Sequence, residues 1–271
     1  MQALSERLER EFKNASLTRA QPLQFAALKT FSPTVDDVLG RTLVSIRRRG
    51  KYLILDFGDP RVMIHLSQGG RIDIEEPAKT TRPRIRVVRF TFSNSKAFLV
   101  KEFGTQRKAA WWIQAPDDDG PLERLGPEPF DDAFKELILT SRDGRRVHTL
   151  LRDQRTVAGI GRGYADDILH RARLSPYAQL GKLSEDERAE LIDTTHAVLE
   201  EALVEERKRS GGLPTKLGDH FTVHNRYNSS CPVCNTKLER VSYESHEVTY
   251  CPRCQTEGKI LADRRLSRLV K

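Results

Sequence analysis

Apolar residues open the chain at Leu4, Leu8 and Phe12, an i, i+4, i+8 series along one helical face, so Met1 to about Phe12 is predicted to be a helix. From Thr42 the pattern shortens to strand-like runs over Thr42–Arg47, Tyr52–Phe57, Val62–Leu66, Arg71–Ile74, Ile85–Phe92, Ala97–Val100 and Ala110–Ile113. Gly40, Gly50, Gly58-Asp59-Pro60 and Gly69-Gly70 punctuate them, which predicts an antiparallel sandwich or barrel. Asp117-Asp118-Asp119-Gly120-Pro121, with Pro127 and Pro129, breaks this pattern as a linker. Helical spacing follows at Phe134, Leu137 and Ile138, at Val147–Leu151 and at Tyr164–Ala172. Ser184 with Glu187 three residues on makes a capping box for a long helix carrying Leu191, Ile192, Thr195, Val198, Leu199 and Leu203, ended by Arg207–Gly212. A loop to about Thr222, a cysteine-bearing module and a basic tail complete the chain. The expected fold is α+β and multidomain: a β-sandwich over 1–116 with an opening helix, a linker over 117–130, a helix–two-turn–helix domain over 131–222, and a cysteine-bearing β-hairpin with the tail over 223–271.

Composition narrows the class of protein. With 271 residues, 38% hydrophobic and 31% charged, the chain has material for two or three packed cores and is not a disordered segment. Lys+Arg 46 against Asp+Glu 38 leaves +8, a balance that suits a nucleic-acid partner without proving one. No stretch approaches the ~20 apolar residues of a membrane span, and no apolar segment of signal-peptide type starts the chain. A cytoplasmic monomer with no membrane contact is expected.

All four cysteines lie beyond residue 230, as Cys231-x2-Cys234, sixteen residues, then Cys251-x2-Cys254. Two such knuckles joined by a hairpin suit tetrahedral thiolate coordination of one Zn²⁺. Four sulfurs leave no open position, so the metal would be structural. A pair of redox dithiols, or four unrelated free cysteines, is the competing reading. A second signal is the glycine loop Val157-Ala158-Gly159-Ile160-Gly161-Arg162-Gly163-Tyr164-Ala165 between two predicted helices. It departs from Gly-x-Gly-x-x-Gly and follows no strand, so a helix–two-turn–helix gripping a nucleic-acid backbone fits it better than a dinucleotide site, with a plain structural turn as the alternative. Basic residues form a third signal: Arg47, Arg48, Arg49 and Lys51 flank a hairpin turn, and Arg82 to Lys108 contributes Arg82, Arg84, Arg86, Arg89, Lys96, Lys101, Arg107 and Lys108. Arg82, Arg84 and Arg86 would share one face of a strand, either solvated or lining a groove that follows phosphates.

Taken together, these features resemble the formamidopyrimidine-DNA glycosylase and endonuclease VIII family of base-excision repair. The residues carrying the resemblance are Arg48-Arg49-Gly50-Lys51-Tyr52-Leu53 for a lysine hairpin, His65-Leu66 for the strand before a base-gap wedge, Leu125-Gly126-Pro127-Glu128-Pro129 for the linker, and Cys251-Pro252-Arg253-Cys254-Gln255 in the finger. The resemblance implies a clamp on double-stranded DNA with a damaged base or abasic site, extrusion of the damaged nucleotide, amine attack on the sugar C1′ to form a Schiff base, and strand nicking by elimination. It further implies that Lys51 contacts phosphate and the target nucleotide, His65 a phosphate, and Arg107 the base opposite the gap. Gln68 falls at the wedge, Arg162 at the loop's phosphate donor, Asp166 or Asp167 at its acidic residue, and Arg226 and His246 in or beside the finger.

The sequence also departs from the family pattern. The family's nucleophile is an N-terminal proline followed by a glutamate, whereas this chain reads Met1-Gln2-Ala3-Leu4. Either a start assigned too far downstream or a binding-only paralog explains that, and the first is the expectation. Gln68 stands for a methionine, Lys108 for a phenylalanine and Arg162 for an asparagine, and the lesion-recognition loop before Val223 is short. These departures leave the preferred lesion open.

Overall fold

The computed structural model describes residues 1–104, 106–213, 220–243 and 246–262, with the side chains of 243 and 246 outside that set. The tail charges at Arg264, Arg265, Arg268 and Lys271, most of the short loop before Val223, and the side chain of His246 therefore lie outside the described residues. The chain divides into two units, Met1–Glu123 with Leu203–Leu217, and Arg124–Ala202 with Gly218–Lys271.

Unit 1 is a sandwich of two four-stranded antiparallel sheets with an opening helix. Helix α1 (Gln2–Phe12) buries Leu4, Leu8 and Phe12, the face its spacing predicts. One sheet has the order β1-β6-β7-β5, from β1 (Leu17–Pro22), β5 (Gly70–Glu75), β6 (Val88–Phe92) and β7 (Ala97–Glu102). The other runs β2-β3-β4-β8, from β2 (Ser45–Arg49), β3 (Tyr52–Asp56), β4 (Arg61–His65) and β8 (Ala110–Gln114). Core-facing residues alternate along β3, β4, β7 and β8, and Phe12, Phe92, Phe98, Phe90 and Trp111 form a continuous aromatic centre, with Phe12 and Phe92 at 4.7 Å and Phe90 edge-on to Trp111 at 5.4 Å. Burial of each such ring is worth roughly 1.5–3 kcal/mol, which fixes strand register from the core outward.

One expectation for this unit needs correction. Arg82, Arg84 and Arg86 share no strand, because β6 begins only at Val88. Pro83 offers no N–H to a sheet, its carbonyl takes Arg86 Nη1 at 2.8 Å, and Ile85 is exposed rather than packed. Of the eight basic residues of 82–108, three are held in ion pairs. Arg89 is buried in an ion pair with Glu75 (Nε to Oε2 2.9 Å), Lys96 pairs with Glu11 and Glu76, and Lys101 pairs with Asp73.

Unit 2 joins the helices to the cysteine module. Helices α2 (Asp132–Thr140), α3 (Val147–Arg152), α4 (Arg162–Arg171) and α5 (Glu185–Arg207) bury Phe134, Ile138, Leu150, Leu151, Ile168, Leu169 and Leu191 around one core. The capping box forms: Ser184 N donates to Glu187 Oε2 at 2.8 Å, and Glu187 N to Ser184 Oγ at 3.2 Å. The hairpin β9 (Glu239–Tyr243) and β10 (His246–Tyr250) leads into a single turn, α6 (Pro252–Gln255). Among the described residues, no helix is long and apolar enough to cross a membrane.

Candidate nucleic-acid interface and metal centre

In unit 1, Gly50 and Lys51 form the two-residue turn between β2 and β3, where Arg49 pairs with Tyr52. Gly50 has φ +57°, the value a II′ hairpin requires at its first central residue. Lys51 is thereby held half-buried at the hairpin tip. Tyr52 pairs across the sheet with His65, and their rings lie 4.7 Å apart. Burial, followed by the charge of Lys51, lowers the His65 pKa to about 4, so its imidazole is neutral at pH 7.

Gln68 lies exposed on the loop after β4, beside the segment that follows β7. These backbones touch: Phe103 N donates to Gly69 O at 2.9 Å, and a Cβ on Gly69 would meet Gly104 N at 2.4 Å, so the crossing demands glycine at 69. Phe103 is 43% exposed at this edge, with Lys101 Nζ 5.5 Å from its ring centroid. Arg107 is exposed on the same segment, whose base is pinned by Glu102 Oε1 accepting Lys108 N at 2.6 Å and Ala109 N at 3.0 Å. Sequence reasoning missed Phe103 and Glu102. An aromatic residue standing before Gly104, among charges, was the available signal.

In unit 2, Arg162 is the first residue of α4, directly after the glycine loop, and Gln154 Nε2 braces that loop through Ile160 O at 2.8 Å. The adjacent carboxylates of α4 both face inward. Asp167 accepts the backbone N–H groups of Thr222 (2.7 Å), Val223 (2.9 Å) and His224 (3.2 Å). Asp166 meets His148 Nε2 at 2.9 Å and His224 Nδ1 at 2.7 Å, and takes Thr249 N at 3.3 Å. This clamp sets the segment on which Arg226 stands exposed, two residues beyond His224. His148 and His224 were not singled out from the sequence; a histidine inside the otherwise apolar run of α3 was the only clue.

Cys231, Cys234, Cys251 and Cys254 bring their sulfurs within 4.8 Å of one another. Three of the Sγ separations are 3.9 Å (Cys231–Cys254), 3.5 Å (Cys234–Cys251) and 3.4 Å (Cys234–Cys254). Disulfides need about 2.05 Å, whereas four sulfurs at about 2.3 Å around one ion stand about 3.8 Å apart, so the arrangement fits a single tetrahedral metal. Hydrogen bonds from Thr236 lower the Cys234 pKa to about 6, while burial pushes Cys251 and Cys254 up. Four thiolates this close need a cation to offset their mutual repulsion. His170, on α4, brings Nε2 to 3.2 Å from Cys231 Sγ.

A β-sandwich, a helical unit with a glycine loop at the head of α4, and a four-cysteine hairpin define the architecture of a DNA-repair glycosylase. The family models of the formamidopyrimidine-DNA glycosylase N-terminal domain and H2TH domain match residues 1–109 and 125–211. Formamidopyrimidine-DNA glycosylase of Neisseria meningitidis is 32% identical over 240 residues, covering 83% of this chain and 86% of that one. The enzyme of Cytobacillus firmus is 31% identical over 234 residues, covering 80% and 83%. An uncharacterized formamidopyrimidine-DNA glycosylase-like protein of Mycobacterium tuberculosis is 40% identical over 154 residues, 54% of this chain and 94% of its own. Among solved structures, the Lactococcus lactis protein in complex with abasic-site DNA superposes with TM-score 0.80 at 22% identity over 94% of this chain and 97% of that one, a likeness of fold. The chain belongs to the formamidopyrimidine-DNA glycosylase family.

Proposed function

We propose that this protein is a base-excision DNA glycosylase that acts on oxidised bases in duplex DNA and opens the resulting abasic site as a lyase. The supporting observation is similarity along most of the chain to formamidopyrimidine-DNA glycosylases, 32% identical with 86% of the relative covered. In this reading Lys51 meets phosphate and the target nucleotide. Neutral His65 adds a phosphate hydrogen bond, Gln68 and Phe103 fill the gap left by the extruded base, and Arg107 reads the opposite strand. Arg162, at a helix N-terminus, and Arg226 bind phosphate.

Lyase chemistry requires an unprotonated amine that adds to C1′ with loss of water. The imine then acidifies C2′, and β-elimination expels the 3′ phosphate. Within the residues from α1 onward, the family resemblance brings the Lys51 amine near the sugar as a phosphate and nucleotide contact, and the nucleophile in this reading is the family's proline. The family's proline would precede α1. The four cysteines hold a structural Zn²⁺, which supplies charge to four thiolates and shapes the hairpin beside Arg226. Borohydride, which reduces the imine to a permanent protein–DNA bond, tests the reading. The duplex probe carries one abasic site, and the protein is used both beginning at Met1 and extended by Pro-Glu-Leu-Pro-Glu.

A further inference from the structure

We propose that His170 is a positioning residue of the metal centre: its Nε2–H donates to the Cys231 thiolate and ties the first cysteine knuckle to helix α4. The inference rests on the zinc reading of the four cysteines.

His170 and Cys231 are both buried, 3% and 0% exposed, with Nε2 and Sγ 3.2 Å apart. A thiolate bound to a cation carries no proton and can only accept, so the ring nitrogen facing it must bear the hydrogen. That fixes the tautomer. The bond draws electron density from sulfur and spreads charge that would otherwise lie uncompensated in a buried setting.

The neighbouring contacts give the bond its purpose. Asp167 on α4 holds the backbone of 222–224 ahead of the first knuckle, and Asp166 takes Thr249 N on β10. Gln255 serves the second knuckle, accepting Cys251 N at 2.8 Å and donating to Leu174 O just past α4 at 2.8 Å. Each of these ties grips backbone. His170 is the side chain of α4 that reaches a sulfur, so one helix carries Arg162 at its start and a partner of the metal centre about two turns on.

The test compares His170→Leu, which keeps the burial, with His170→Gln, whose amide N–H reaches a similar point. Zinc-loaded full chains are challenged with a colorimetric chelator, and cobalt-loaded chains are read by their thiolate-to-metal charge-transfer band. Outer-shell donors of this kind are worth about 10–100-fold in metal affinity. We expect a loss of that order in His170→Leu with the band moved to longer wavelength, and recovery of both affinity and band in His170→Gln. Wild-type retention and an unmoved band in His170→Leu would overturn the proposal. Equal loss in both variants would do so too, since it would assign the effect to packing. A wild-type chain that binds no metal would instead remove the zinc reading itself, and the proposal with it.

Discussion

Asp166 holds His224 through a 2.7 Å hydrogen bond to Nδ1 while its other oxygen meets His148 Nε2 at 2.9 Å, so one fully buried carboxylate joins α3, α4 and the segment that leads to Arg226. Removing it leaves two imidazoles and the N–H of Thr249 without their acceptor. Asp166→Ala should cost about 2–4 kcal/mol of unit 2 stability, the scale of a broken buried polar network. Urea unfolding checks this, and a change below about 0.5 kcal/mol would mean that water replaces the carboxylate freely.

His65 makes the stability of unit 1 depend on acid. Its pKa falls from 6.5 to about 4 on folding, so between those values the unfolded chain binds a proton that the folded chain refuses. Stability is therefore lost progressively as pH drops from 6.5 to 4, by up to about 3 kcal/mol if the full shift is realised. His65→Phe should flatten the urea midpoint across this window relative to wild type. Parallel profiles for the two proteins would show that His65 is not desolvated.

DNA affinity should fall steeply with salt, and the slope sorts the cations. Arg162→Ala and Arg226→Ala should each reduce the log–log slope by about one, because each releases about one counterion. Arg89→Met should leave it unchanged, since Arg89 is committed to Glu75 in the core. His65→Gln should also leave it unchanged at pH 7.5, because a neutral imidazole displaces no counterion. Fluorescence anisotropy over a salt series measures all four.

Metal removal should unfold the hairpin and spare the sandwich. Zinc contributes on the order of 10 kcal/mol to fingers of this kind, and among the described residues the apolar material of the module is small: Val223 and Leu238 beside the cysteines, and Val241, Val248 and Tyr250 on the hairpin. Cys251→Ser should open 223–262 to hydrogen exchange while the amides of β3 and β4 stay protected.

Much of the fold was legible because each unit buries a repeating pattern: α1 by Leu4, Leu8 and Phe12, α5 by its capping box, and the sheets by alternation. Strand β1 escaped because it is an edge strand, ends in Pro22 and buries only Leu17 along its length. The cysteine cluster was readable from spacing, since metal geometry acts locally. The Asp166–His148–His224 clamp and the His170–Cys231 contact were not, because they join residues 18 to 61 positions apart. Nothing local marks such pairs. Arg89 and Arg107 look alike in the sequence, and only tertiary packing makes one a core ion pair and the other an exposed cation.

Borohydride trapping on an abasic-site duplex decides between a glycosylase–lyase and a protein that only binds damaged DNA. The chain extended by Pro-Glu-Leu-Pro-Glu should form a covalent adduct and nick the strand, while the chain beginning at Met1 should bind the same duplex and trap little of it. Lys51→Ala in the extended chain should weaken binding and lower the yield, because it removes a contact to phosphate and nucleotide while leaving the proline amine in place. Failure of the extended chain to trap, despite tight and specific binding of the abasic duplex, would contradict the glycosylase–lyase assignment and leave a protein that only recognises damaged DNA.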